Sequence, residues 1–205
     1  MMKASVSKGV WAFGALLSVL VALVSYRYVA GVGLMAPNVM ANRFVQPWLV
    51  LHAGGASTAL LIGAFQFMPR VRASGPWLHR WLGRTYAAGC LIGGVSGLAL
   101  AAGTSAGPVA AWGFGLLAVA WIFTTLQAWR FARTRRFEAH RAWMVRSFAL
   151  TFAAVTLRVY IPLSPLAGVH PEEAYVAIAW LCWVPNLAIA ELWLRSRPAL
   201  VAARA

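Results

Sequence analysis

The sequence contains no aspartate and only four glutamates against 18 lysines and arginines, and its two cysteines stand singly inside apolar stretches. These scarcities exclude much chemistry. One glutamate, Glu191, falls inside an apolar segment, so no pair of membrane-embedded carboxylates exists to share the acid and base roles of an aspartic-type intramembrane protease. No His-Glu-x-x-His zinc helix, phosphate-cradling glycine loop or Gly-x-Ser-x-Gly elbow occurs, which argues against a hydrolase. Cys90 and Cys182 offer no disulfide framework, and isolated buried cysteines behave as small hydrophobes.

What the chain has instead is apolar length. Of its 205 residues 61% are hydrophobic and 11% charged, against about one-quarter charged in ordinary soluble domains. Apolar stretches run over roughly residues 10–30, 47–68, 77–102, 108–129, 142–163 and 173–194. Each reaches the approximately 20 residues a helix needs to cross the hydrocarbon core. Between them lie Pro37 and Asn38, the segment Pro69 to Pro76, Gly103 to Pro108, a basic run, and Pro162 to Pro171. The expectation is an all-α, polytopic bundle of six transmembrane helices forming a single domain over residues 1–205. The first stretch follows Lys3 and Lys8 as a signal peptide would, but it lacks a small-residue cleavage site, and Tyr26-Arg27-Tyr28 breaks the pattern. It reads as a retained span.

Orientation follows from the basic residues. With the N-terminus inside, 15 of 18 fall on the cytoplasmic side: Lys3 and Lys8; Arg70, Arg72, Arg80 and Arg84; the run from Arg130 to Arg146; and Arg195, Arg197 and Arg204. Only Arg27, Arg43 and Arg158 fall outside, an asymmetry that predicts N-in, C-in topology in a bacterial cytoplasmic (inner) membrane. A net charge of +14 spread over short loops suits anionic lipid head groups, not nucleic acid. Tryptophans near the predicted helix ends, such as Trp77, Trp112 and Trp193, read as an interfacial belt. Gly54-Gly55 and the Gly89, Gly93, Gly97 series read as close helix packing.

Polar residues at membrane depth are costly, which makes them candidates for function. His79 and His140 open the third and fifth spans, each followed by arginine, with Arg84 and Arg146 near them and Gln66, Asn186 and Glu191 arriving from the second and sixth. Two histidines on different helices at matched depth, with arginines for propionates, is the pattern for bis-His ligation of haem b; an interfacial, hydrogen-bonded role is the alternative. His52, inside the outer end of the second span, has no histidine partner on the fourth, and His170 lies in an outer loop. His52 instead matches Arg158 in depth, and the two are expected to line one cavity open to the outer leaflet or periplasm. That pocket suits a quinone carbonyl or an anionic head group. Arg146 and Glu191 are expected to form an ion pair. The two cytoplasmic hairpins also repeat weakly: Phe67-Met-Pro-Arg70-Val-Arg72 with His79-Arg80, and Phe131-Ala-Arg133-Thr-Arg135 with His140-Arg141.

The segments His52-x-Gly-Gly, Gly63-Ala-Phe-Gln66, His79-Arg80-x-x-Gly83-Arg84-x-Tyr86, His140-Arg141-x-Trp143-Met144-x-Arg146-Ser147 and Trp183-x-x-Asn186 with Glu191 resemble a bacterial family of predicted membrane proteins, the domain-of-unknown-function family numbered 2306, over roughly residues 48 to 194. The resemblance implies the fold and the site region, and no activity. More loosely, histidines on a core of helices two to five look like the ascorbate-reducible transmembrane cytochrome b family, which places four histidines on four helices; helix four here has none. The leading expectation is a b-type haem-binding membrane electron-transfer protein, a component of a membrane oxidoreductase, with a quinone site near His52 and Arg158. The competing expectation is a non-catalytic binding or transport protein for an anionic small molecule or lipid.

Overall fold

The computed structural model describes residues 2–33, 37–68 and 75–197. Among them every regular element is a helix: α1 (Met2–Ser25), α2 (Arg27–Ala30), α3 (Pro37–Met40), α4 (Val45–Gln66), α5 (Pro76–Ala102), α6 (Gly107–Arg133), α7 (Phe137–Thr151), α8 (Ala153–Leu166), α9 (Pro171–Leu181) and α10 (Val184–Arg195). Six spans are long and apolar enough to cross a membrane: Gly9–Ala30, Val45–Gln66, Pro76–Ala102, Gly107–Arg133, Phe137–Leu166 and Pro171–Arg195. Arg70, Arg72 and Arg204, used above for orientation and for the hairpin repeat, lie outside the described residues.

The break expected between Pro162 and Pro171 falls at residues 167–170, in the second half of that segment. Span five begins at Phe137 and runs through Pro162 and Pro165 to Leu166. Pro165 cannot donate to the Ile161 carbonyl, and the Ser164 hydroxyl takes its place at 3.0 Å, as polar side chains do for proline inside membrane helices. Two further interruptions lie inside spans, at Phe152 between α7 and α8 and at Cys182-Trp183 between α9 and α10. Asn186 staples them: its Nδ2 donates to the Cys182 carbonyl and the Thr156 hydroxyl, both at 2.9 Å, and lies 3.3 Å from the Ala149 carbonyl.

Spans two to five close into a ring in which each packs on the next and α4 returns to α7; span one lies against α4 and α8, and span six against α6, α7 and α8. The tightest pair is α4 with α5. A Cβ on Gly55 would lie 2.8 Å from the Gly89 carbonyl oxygen and from the Gly93 nitrogen, so the two backbones meet where only glycine fits.

A buried hydroxyl chain ties α5, α6 and α7 at the centre of the ring. Thr151 Oγ1 spends its one proton on the Ser147 carbonyl and accepts from Trp121 Nε1 at 2.9 Å. Tyr86 Oη, 2.8 Å from Thr151 Oγ1, is therefore the donor there and must accept from Ser147 Oγ at 2.9 Å. Ser147 in turn accepts from Thr125 Oγ1 at 2.8 Å. Each hydroxyl donates once, so the network has no proton left to offer a ligand.

Candidate functional site

On the side of this chain away from the arginine-rich hairpins, the spans enclose a cavity of about 520 Å³. Its deep wall is apolar, built from residues such as Leu60, Phe114, Trp121 and Leu150. Its polar wall carries His52, Arg158, Arg27 and Tyr28. His52 stands seven residues inside the start of α4 and Arg158 eight residues inside the end of α8, about 10–12 Å of helix in each case. The two line the same cavity from different spans.

His52 is held by α5. Its Nδ1 lies 2.8 Å from the Gly93 carbonyl oxygen, which can only accept, so Nδ1 carries the proton and Nε2 of the neutral ring is an acceptor. The ring rests against Gly97, where a Cβ would stand 3.2 Å from Nδ1 and 3.4 Å from Cε1. The glycine series on α5 therefore has two uses: Gly89 and Gly93 admit the α4 backbone, and Gly97 admits the His52 ring.

Neither cavity arginine is neutralised by a carboxylate, because no aspartate or glutamate lines the cavity. Arg158 donates from Nη1 to the Ala154 carbonyl one turn back at 3.0 Å. Arg27 donates from Nη2 to Tyr28 Oη at 3.1 Å and stacks over that ring at 4.9 Å, while its buried Nε finds no partner among the described residues. A guanidinium has five donors, so each arginine retains unused ones on the cavity side of the bundle.

The remaining candidates occupy the other half. Arg146 is buried and pairs through Nε and Nη2 with both carboxylate oxygens of Glu191, with Trp143 stacked on its other side at 4.7 Å. The expected ion pair is thus present, and it gives Arg146 a counter-charge. Arg84 is exposed and lies 5.2 Å over the Trp81 ring at the bundle surface. Gln66 is buried, and its Nε2 has no partner among the described residues. Asn186, grouped in the sequence with Gln66 and the histidines, is held instead at the kinks of spans five and six, beside Thr156. His140 donates from Nδ1 to the Ala128 carbonyl of α6 at 2.9 Å, which leaves its Nε2 an acceptor. His79 and His140 each precede by seven residues, two turns, a residue of the Tyr86–Ser147 hydrogen bond, so both stand on the faces that α5 and α7 turn towards that contact.

Sequence reasoning missed Arg27 and Tyr28. The signal was present: Arg27, like Arg158, is a basic residue where topology disfavours one. It was hidden because Tyr26-Arg27-Tyr28 reads equally well as an interfacial helix end.

The profile of the family described as "Predicted membrane protein (DUF2306)" matches residues 49–194. No curated protein and no solved structure matches the chain.

Proposed function

This chain belongs to that family of predicted membrane proteins, whose description names no activity, and from its own cavity we propose that it binds a small amphipathic anion within the membrane. The observation that carries this reading is an apolar cavity onto which Arg27 and Arg158 open with no acidic residue beside them. A cation at membrane depth is costly unless it reaches water or a counter-charge. Two of them left unneutralised beside an apolar volume suit a ligand that brings its own anion and apolar tail. Guanidinium forks would hold a carboxylate or phosphate by paired hydrogen bonds, and the wall of Phe114, Leu117 and Trp121 would take the chain or ring. The volume falls in the range of about 300–1,000 Å³ usual for small-molecule sites. The partition of basic residues supports a cytoplasmic arginine-rich end, which turns the cavity towards the outer side of a bacterial inner membrane.

The test uses the full chain in nanodiscs and a pair of probes of equal tail, dodecanoic acid and dodecanol, with binding followed by calorimetry. The acid is expected to bind at least tenfold more tightly than the alcohol, and Arg158→Leu and Arg27→Leu are each expected to remove most of that preference. Equal binding of acid and alcohol, or a preference untouched by both substitutions, would sink the reading.

A second reading, haem b between His79 and His140, is favoured by one observation. The Ala128 carbonyl fixes the tautomer of His140 so that Nε2 carries the lone pair, the arrangement in which metal-bound imidazoles are oriented. The shared register of the two histidines against Tyr86 and Ser147 agrees with it. A bound haem would supply one-electron transfer, and of the two arginines expected for propionates Arg84 is the one not paired with Glu191. Purification from haem-replete cells decides the matter: a Soret band lost in both His79→Ala and His140→Ala supports this reading, and stoichiometrically haem-free protein ends it.

A further inference from the structure

The two arginines and the histidine of the cavity wall ask for different things. Arg27 and Arg158 are donors only. His52 is the opposite. Its Nδ1 proton is spent on the Gly93 carbonyl at 2.8 Å, and Nε2 has no hydrogen-bond partner among the described residues. The bond to the Gly93 carbonyl holds the ring with Nδ1 turned towards α5, which leaves Nε2 for the cavity. A neutral His52 therefore offers the cavity one lone pair.

A plain carboxylate or phosphodiester satisfies the arginines and does nothing for that lone pair, because it has no proton to give. An acceptor left dry in a low-dielectric site costs more than the same acceptor in water. Resting on the reading of the cavity as an amphipathic-anion site, we propose that the ligand's head group carries a hydroxyl beside its acid, and that this hydroxyl donates to His52 Nε2 while the acid meets Arg27 and Arg158. The class is a hydroxylated amphipathic acid: a hydroxy fatty acid and a single-chain phosphoglycerol share this chemistry. His52 is then the residue that sets specificity, and the arginines set affinity.

The experiment compares dodecanoic acid with 2-hydroxydodecanoic acid on the full chain in nanodiscs. The hydroxy acid is expected to bind at least fivefold more tightly to the unaltered protein. In His52→Phe, which keeps a ring against Gly97 and removes the acceptor, the ratio of the two affinities is expected to fall to about one whatever the absolute values become. In His52→Gln, whose amide oxygen restores an acceptor, part of the ratio should return. A ratio near one in the unaltered protein, with both acids bound, overturns this inference and leaves the anion site standing. Absence of binding by either acid overturns both. The ratio in the unaltered protein needs no variant to fold. To separate sources of the same chemistry, lysophosphatidylglycerol and 3-hydroxydodecanoic acid are then competed against 2-hydroxydodecanoic acid. The natural class is the one that displaces it at the lowest concentration.

Discussion

Two arginines on span five, Arg146 and Arg158, stand twelve residues apart and are treated in opposite ways. Arg146 is met by both oxygens of Glu191 from span six and by the Trp143 ring. Arg158 has one hydrogen bond, to its own helix, and otherwise opens onto a cavity shared with Arg27 and His52. The same division runs through the molecule. The Tyr86–Ser147–Thr125–Thr151 chain and Asn186 have every donor engaged, whereas Arg27, Arg158 and His52 on the cavity wall keep donors and a ring acceptor unused. Polar groups in a membrane bundle that answer one another report on architecture. Those on the cavity wall that do not are the groups to which the proposal above assigns a ligand.

The sharpest way to break this comparison is to remove the charges singly. Arg146→Leu removes the guanidinium from Glu191 and Glu191→Leu leaves Arg146 buried and unpaired, and breaking a buried pair costs about 3–5 kcal/mol. Glu191 is about one-third exposed, so Glu191→Leu should be the more damaging change, since it strands the more deeply buried charge. The double substitution Arg146→Met with Glu191→Leu is expected to regain most of the loss. Arg158→Leu, by contrast, should leave the unfolding midpoint unchanged or raise it, because no carboxylate is stranded. Thermal unfolding in one detergent, followed by tryptophan fluorescence, checks all four. A drop for Arg158→Leu as large as that for Arg146→Leu would mean that the two arginines do the same job.

The spans were legible in the sequence because hydropathy and length report directly on crossing a membrane, and the described helices fall on all six expected stretches. Their interruptions were not. Proline marks a missing donor, but Pro165 is compensated by Ser164 one residue away, whereas the real break at Phe152 has no proline, and the span-six break places Pro185 just beyond it. Arg158 stood out because charge asymmetry makes an outer arginine an anomaly. That Arg27 of span one shares its cavity depends on α1 packing against α4 and α8, a tertiary fact with no local trace. Asn186 was grouped with the histidines by polarity alone. Its neighbours are kink carbonyls, visible only once the kinks are placed.

A smaller effect is expected inside the saturated half. Tyr86→Phe removes a group that both donates and accepts, so Ser147 loses an acceptor and Thr151 loses a donor, with all three residues buried. The cost should be about 1–2 kcal/mol of stability, the range for a buried hydrogen bond whose partners stay behind. Dodecanoic acid binding should stay within a factor of two, since Tyr86 does not line the cavity. A loss of binding with stability intact would place the hydroxyl chain on the ligand's side of the comparison and undo the division drawn above.

The smallest expected effect separates the two uses of one glycine series. A methyl at position 93 would stand 3.0 Å from the Trp121 ring and 3.1 Å from the Ala56 nitrogen, against an aromatic that is itself hydrogen-bonded to Thr151 and a backbone that cannot yield. Gly93→Ala should therefore destabilise the α4–α5 pair by about 1–3 kcal/mol, as overpacking does in close-packed interiors. A methyl at position 97 meets only the His52 ring, at 3.2 Å from Nδ1 and 3.4 Å from Cε1, and a ring beside a cavity can give by the few tenths of an ångström required. That shift lengthens the bond to the Gly93 carbonyl and moves Nε2, so Gly97→Ala should leave the unfolding midpoint nearly in place. It should weaken 2-hydroxydodecanoic acid about threefold, roughly 0.6 kcal/mol. Dodecanoic acid, which has no hydroxyl for Nε2, should lose less. Calorimetry on both acids and unfolding curves on both variants make the comparison within a single helix. If Gly97→Ala destabilises as much as Gly93→Ala and spares the preference for the hydroxy acid, then the series serves packing throughout, and His52 is a core residue that happens to border the cavity.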